Sequence, residues 1–120
     1  MHESSVTEAM LGQVLQRAKA MGAARICRIA LVVGEHSGYG GDSIQFYFDR
    51  YALGTMAEGA KLEFTYVQPK MRCTVCDALF VRRPFSFTCP SCGGEGRATK
   101  IGTEFYIDTM DIEYGAEEKP

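Results

Sequence analysis

The chain has 120 residues, of which 46% are hydrophobic and 23% charged, with a formal net charge of -2. That length holds one core and a small appendage and argues against two full domains, while the composition argues against wholesale disorder. The slightly negative balance lacks the basic field of a nucleic-acid binder, and no apolar run approaches the ~20 residues of a membrane span. The opening residues, Met1 to Ser5, have no signal-peptide pattern, so a cytoplasmic protein is expected.

The first predicted element is a helix from Ser5 to Met21. Ser5 and Glu8 read as a capping box, Val6, Met10, Val14 and Ala18 recur at i+4, and Gly22 supplies a left-handed stop. Arg25 to Val33 is rich in β-branched residues and reads as a strand buried on much of both faces, with Cys27 as an apolar filler. Four glycines between Gly34 and Gly41 then make a loop. A second helix is predicted from Asp42 as N-cap to a stop at Gly54, with Ile44, Tyr47, Phe48 and Tyr51 on its core face. Lys61 to Gln68 alternates as a half-buried strand with Leu62, Phe64 and Tyr66 inward, ended by Pro69. Thr103 to Tyr114 is the last strand; its apolar residues change phase between Ile107 and Met110, which predicts a bulge or bend near Thr109.

These elements predict an α+β fold: a mixed three-stranded sheet with two helices packed against it, and a cysteine-bearing subdomain inserted before the last strand. The expected division is 1–70 with 103–114 as the α/β domain, 71–102 as the inserted domain, and 115–120 as a flexible tail.

The insert carries Cys73-x-x-Cys76 and Cys89-x-x-Cys92, two pairs separated by twelve residues. Two tight turns can aim four such thiolates at one tetrahedral centre, and in a reducing compartment this pattern reads as a metal site rather than disulfides. Pro90, Gly93 and Gly94 provide knuckle geometry around the second pair. Softness and geometry favour zinc, with rubredoxin-like iron and a redox dithiol as the alternatives. A centre with four protein ligands has no open position, so its role is structural, and a segment this short needs the metal to fold. Arg72, Arg82, Arg83 and Arg97 flank the cysteines; they are solvated charge or a small docking surface for an acidic partner. There is no G-x-x-x-x-G-K-[ST] loop and no evident nucleophile with its base, so an enzyme is not expected.

A second candidate metal site lies at the amino end. The bulky His2 should protect Met1 from removal, leaving an α-amine, the His2 backbone nitrogen and the His2 imidazole in successive chelate positions. Nitrogen donors in one plane suit Ni(II) or Cu(II), and Glu3 can add its amide nitrogen or its carboxylate. His36, in the glycine-rich loop, is the other histidine.

Four separated motifs then agree. Met1-His2-Glu3, Gly34-Glu35-x-Ser37-Gly38, Gly54-Thr55-x-Ala57-Glu58-Gly59-Ala60 and the Cys73 to Gly93 ribbon together resemble the HypA/HybF hydrogenase nickel-incorporation family over residues 1 to about 114. The resemblance implies a nickel metallochaperone that works with a HypB-type GTPase to load the large subunit of [NiFe]-hydrogenase. It implies His2 as the main nickel ligand with Met1 and Glu3 assisting, and structural zinc on Cys73, Cys76, Cys89 and Cys92. Nucleic acid and membrane are not expected as partners, and a homodimer is compatible with the pattern. His36 stands where the family commonly has an aliphatic residue, and Asp42 comes two places later than the usual loop acid. The competing reading is a zinc-ribbon protein-interaction module that carries no metal cargo.

Overall fold

The computed structural model describes residues 2–82 and 86–115. In chain order the elements are α1 (Glu3–Ala20), β1 (Arg25–Gly34), α2 (Gly41–Tyr51), β2 (Lys61–Val67), β3 (Lys70–Cys73), β4 (Leu79–Val81), β5 (Gly96–Ala98) and β6 (Phe105–Glu113). One three-stranded sheet has the order β2-β1-β6 and a second has the order β4-β3-β5. The fold is α+β, with two helices and a mixed sheet, and the cysteine segment is inserted before the last strand. Adjacent strands β1 and β2 are joined through α2, the kind of connection a parallel pair requires.

The chain divides into two compact units. The first comprises residues up to Leu31, Tyr39–Thr65 and from Tyr106 onward; the second comprises Val32–Gly38 and Tyr66–Phe105.

In the first unit α1 buries Thr7, Met10, Leu11, Val14 and Ala18, a stripe at helical spacing that removes its apolar side from water. The helix begins earlier than the capping-box signal indicates. Its N-cap is His2, in extended conformation, and the first intrahelical bond runs from the Val6 N–H to the His2 carbonyl. Ser5 therefore lies inside the first turn. The Thr7 hydroxyl, fully buried, donates to the Glu3 carbonyl at 2.6 Å and holds that turn in place.

β1 buries Ile26, Ile29 and Leu31 completely and half-buries Cys27 and Ala30, so both faces are largely covered, as predicted. Exposed Arg28 reaches Glu63 of β2 at 3.4 Å and Asp111 of β6 at 3.7 Å. Such exposed pairs contribute little stability. In β6 the half-buried positions are Phe105 and Ile107, then Met110 and Ile112, with Asp108 and Thr109 both exposed between them. The predicted change of phase is present at that point.

The aromatic face of α2 is narrower than predicted. Only Ile44 and Phe48, one turn apart, are buried among its large side chains, whereas Tyr51 is 38% exposed. Tyr51 instead stacks on the half-buried Tyr47 ring, 6.1 Å between centroids, and Phe46 meets Tyr47 edge-on. The N-cap of α2 is Gly40, not Asp42, which falls in the first turn, where its charge complements the helix dipole. In β2, Leu62 is buried, Phe64 half-buried and Tyr66 exposed, so burial fades along the alternating face.

The second unit is built on β3, which pairs antiparallel with β4 (Met71 opposite Phe80) and with β5 (Arg72 opposite Arg97). Its small core is Met71, Cys73, Phe80 and Cys89, with Ala78 packed against it. Gly34 and Gly102 touch through their backbones: a Cβ added at Gly34 would lie 2.1 Å from the Gly102 carbonyl carbon. The Gly34 N–H donates to the Glu104 carbonyl and the His36 N–H to the Gly102 carbonyl, both at 2.7 Å.

Candidate functional site

The four cysteines sit on two turns of the same design. In each, the N–H of the first cysteine (Cys73, Cys89) donates to the carbonyl five residues on (Ala78, Gly94), at 2.9 and 2.8 Å. The residue two positions after that cysteine (Val75, Ser91) turns its N–H onto the cysteine sulfur, at 3.3 and 3.4 Å. The Cys76 N–H also reaches Cys73 Sγ at 3.3 Å, and the Gly94 N–H reaches Cys92 Sγ at 3.4 Å. A ring of backbone donors is the outer shell that orients and stabilises thiolates on a metal.

The two turns bring all four sulfurs within 4.8 Å of one another. Cys73 and Cys92 are 3.4 Å apart and Cys76 and Cys89 are 3.7 Å apart. Tetrahedral zinc with Zn–S of ~2.3 Å requires sulfur–sulfur edges of about 3.8 Å, so the cage has the size of such a centre. Cys73 and Cys89 are buried, whereas Cys76 and Cys92 are exposed.

Their acidities are pulled apart. The Cys76 backbone N–H, helped by that of Val75, holds the Cys73 thiol at about 6 in spite of burial. Cys89 is lowered as well, first by the Cys92 backbone N–H. The Ala78 backbone N–H favours the Cys76 thiolate, yet the Cys92 sulfur, burial and the other two sulfurs push Cys76 up to about 12. Clustered thiols cannot all ionise beside one another unless a cation is present. Four sulfurs in this arrangement can hold one metal ion, and the set is consistent with a zinc ribbon.

Two of the flanking arginines have partners of their own. Arg72 Nη1 donates to the Asp77 carbonyl at 2.8 Å and lies 3.5 Å from its carboxylate, while the Arg82 guanidinium stacks 4.6 Å over the Phe87 ring. Arg97 is exposed, and Arg83 lies outside the described residues. Cys27 belongs to the first unit, half-buried in β1; burial, then the Glu113 carboxylate, pushes its thiol up, the condition of an unreactive cysteine.

The predicted nickel residues open the first unit. Met1 lies outside the described residues. His2 is exposed at the N-cap with no side-chain cap hydrogen bond. Glu3 begins α1, and its Oε2 accepts the Gly40 N–H at 2.5 Å. That tie, spanning 37 residues of sequence, has no local signal that could have revealed it. His36 is exposed in the turn after β1, and Asp42 is exposed in the first turn of α2. A further contact also escaped the sequence reading: a Cβ at Gly94 would lie 3.0 Å from Cys73 Sγ and 2.7 Å from a Val75 methyl, so the chain passes against the sulfur where only glycine fits.

Comparison with known proteins agrees with this geometry. A family model described as "Hydrogenase/urease nickel incorporation, metallochaperone, hypA" matches residues 1–112. The chain is 39% identical over 114 residues to the hydrogenase maturation factor HypA of Caldanaerobacter subterraneus subsp. tengcongensis, covering 94% of this chain and 100% of that protein. It is 36% identical over 113 residues to the hydrogenase maturation factor HypA of Dehalococcoides mccartyi, covering 94% and 95%. Among solved structures, the nickel metallochaperone HypA from Helicobacter pylori superposes with a TM-score of 0.65 at 19% identity, over 96% of this chain and 100% of that one. A structure described as HypA protein superposes with a TM-score of 0.71 at 21% identity, over 93% and 96%. At those identities the two structures support the fold.

Proposed function

The chain belongs to the HypA family of hydrogenase/urease nickel-incorporation metallochaperones, and from that premise we propose that it binds Ni(II) at its amino end and delivers it during [NiFe]-hydrogenase maturation. His2 is the principal ligand, with the Met1 amine and Glu3 beside it. A HypB-type GTPase supplies the nucleotide hydrolysis, and the hydrogenase large subunit receives the metal. The work takes place in the cytoplasm.

The observation that carries this reading is the state of the chain at His2. The first intrahelical bond begins at the Val6 N–H, so the His2 and Glu3 amide nitrogens precede the helix's own ladder. Enlisting them as metal ligands costs no helical hydrogen bond. The His2 imidazole is exposed and uncommitted to capping, on an extended residue that lets it fold back over its own amide. A cargo site at a chain end also permits release, because it can be opened without disturbing the core.

Zinc occupies the four-cysteine cage as a structural ion. All four positions are thiolates, which leaves no site for water or cargo, and the small core around Met71 and Phe80 gives the ribbon little other support.

The deciding experiment is metal analysis with nickel titration of protein that has no added residues before Met1, comparing the native chain with His2→Ala. One zinc per chain is expected in both, and nickel uptake only in the native chain. Native protein indifferent to nickel would instead favour a zinc-ribbon interaction module.

A further inference from the structure

We propose that the Glu3 side chain is a positioning group for the nickel-binding terminus, not a ligand: its carboxylate fastens the start of α1 to Gly40, the N-cap of α2. This inference rests on the assignment of nickel to His2 and deepens it.

Glu3 is held at two points. Its carbonyl accepts the hydroxyl of the buried Thr7, and its Oε2 accepts the Gly40 N–H. Between those anchors its own backbone nitrogen, in the first turn of α1, is left outside the helical ladder. The carboxylate is thus occupied with the protein while the amide nitrogen faces the His2 side. A carboxylate at this place gains twice, from a charge-assisted hydrogen bond and from the positive end of the α2 dipole. Gly40 is extended (φ -101°, ψ 138°), so its N–H points away from α2 toward the incoming side chain. A Cβ at Gly40 would stand 3.5 Å from Oε2, an ordinary contact distance.

The consequence is preorganisation. A chain end that trails freely must be ordered when nickel binds, and that ordering weakens affinity by about tenfold for each residue or so that has to be fixed. With Glu3 clamped, the start of α1 is already in place when nickel arrives. The carboxylate therefore raises nickel affinity without touching the metal.

The test uses nickel titration of the full chain, read by affinity and by the nickel absorption spectrum, on Glu3→Ala, Glu3→Gln, Gly40→Pro and the Glu3→Ala/Gly40→Pro double variant. Gly40→Pro deletes the donor and leaves the carboxylate intact. Each of Glu3→Ala and Gly40→Pro should weaken binding by about tenfold with an unchanged spectrum. The double variant should be no weaker than either alone, and Glu3→Gln, whose amide oxygen still accepts from Gly40, should recover most of the loss. Gly40→Pro that binds as tightly as the native chain, or Glu3→Gln with an altered spectrum, would overturn the proposal and make the carboxylate a ligand. Hydrogen exchange of the Gly40 amide in protein without nickel reads the clamp separately: it should be protected in the native chain and exposed in Glu3→Ala. Equal exchange in both sinks the clamp even if nickel binds at His2, whereas protection in a native chain that ignores nickel sinks only the cargo assignment.

Discussion

Asp77 and Gly93 occupy the same position in the two cysteine turns. Each follows the second cysteine of its pair, each has a positive φ (65° and 77°), and each donates its N–H to the carbonyl of the first cysteine, at 3.1 and 2.9 Å. One turn meets the left-handed requirement with glycine and the other with aspartate, a residue whose short polar side chain tolerates it.

That equivalence sets the pattern for substitutions. Asp77→Gly should stay within about 1 kcal/mol of the native chain, because relief of the backbone conformation offsets the loss of an exposed ion pair. Asp77→Val and Gly93→Ala should each lose about 1–2 kcal/mol, the cost of forcing a Cβ-bearing residue into that region. Urea unfolding of the metal-loaded protein reads all three. If Asp77→Gly is as damaging as Asp77→Val, the aspartate side chain matters and the backbone argument is wrong.

The split acidities of the cage predict how protons leave when metal enters. Cys73 is held down at about 6, so the stabilisation its thiolate receives is complete above the ordinary thiol range and is lost as pH falls through about 6. Cys76, pushed up to about 12, keeps its proton until a cation displaces it. Zinc should therefore bind more weakly near pH 5.5 than near pH 7.5, because more thiol protons must be displaced. Competition against a chelator, corrected for the chelator's own protonation, measures the difference; equal affinity at the two pH values would contradict the assignment. Removing the metal with a chelator should collapse the β3, β4 and β5 amide signals, since the ribbon core is so small.

Glycine 34 separates close backbone approach from mere flexibility. Gly34→Ala would put a Cβ 2.1 Å from Gly102 backbone atoms, which cannot swing aside as a side-chain tip can, so a loss of at least about 2 kcal/mol is expected. Gly12→Ala, in α1 with nothing within 4 Å of the added Cβ, should instead stabilise by up to about 1 kcal/mol. Chemical denaturation of the two variants provides the comparison, and equal effects would refute the steric account.

Much of this was legible in the residues. The cysteine pairs announced their cage because a metal turn is a local object, in which spacing of two between ligands and a residue of positive φ after the second nearly determine the geometry. The order of helices and strands in the first unit followed from apolar periodicity, and the phase change in β6 is visible between Ile107 and Met110, whereas the short strands β3, β4 and β5 carry no periodic signal of their own. Helix starts were less legible. Ser5 with Glu8 is a sound capping signal, yet the helix begins at Glu3, because Thr7 and Gly40 supply bonds to Glu3 that a capping rule cannot anticipate. Periodicity places Tyr51 and Tyr66 on the core side, yet both are exposed, because it reports which side a residue faces and not whether anything covers that side.

From the sequence alone came the candidate ligands: four sulfurs in two turns and a histidine beside an amino end, with the alternation of secondary elements in the first unit. These depend on neighbours a few bonds away, whose relative positions the covalent chain restricts. Tertiary structure decided what depends on residues remote in sequence: that the Glu3 carboxylate meets Gly40, and that Gly34 and Gly102 require bare backbones. Such contacts arise only when folding overcomes the entropy of closing long loops, and no local pattern records which distant groups will then meet.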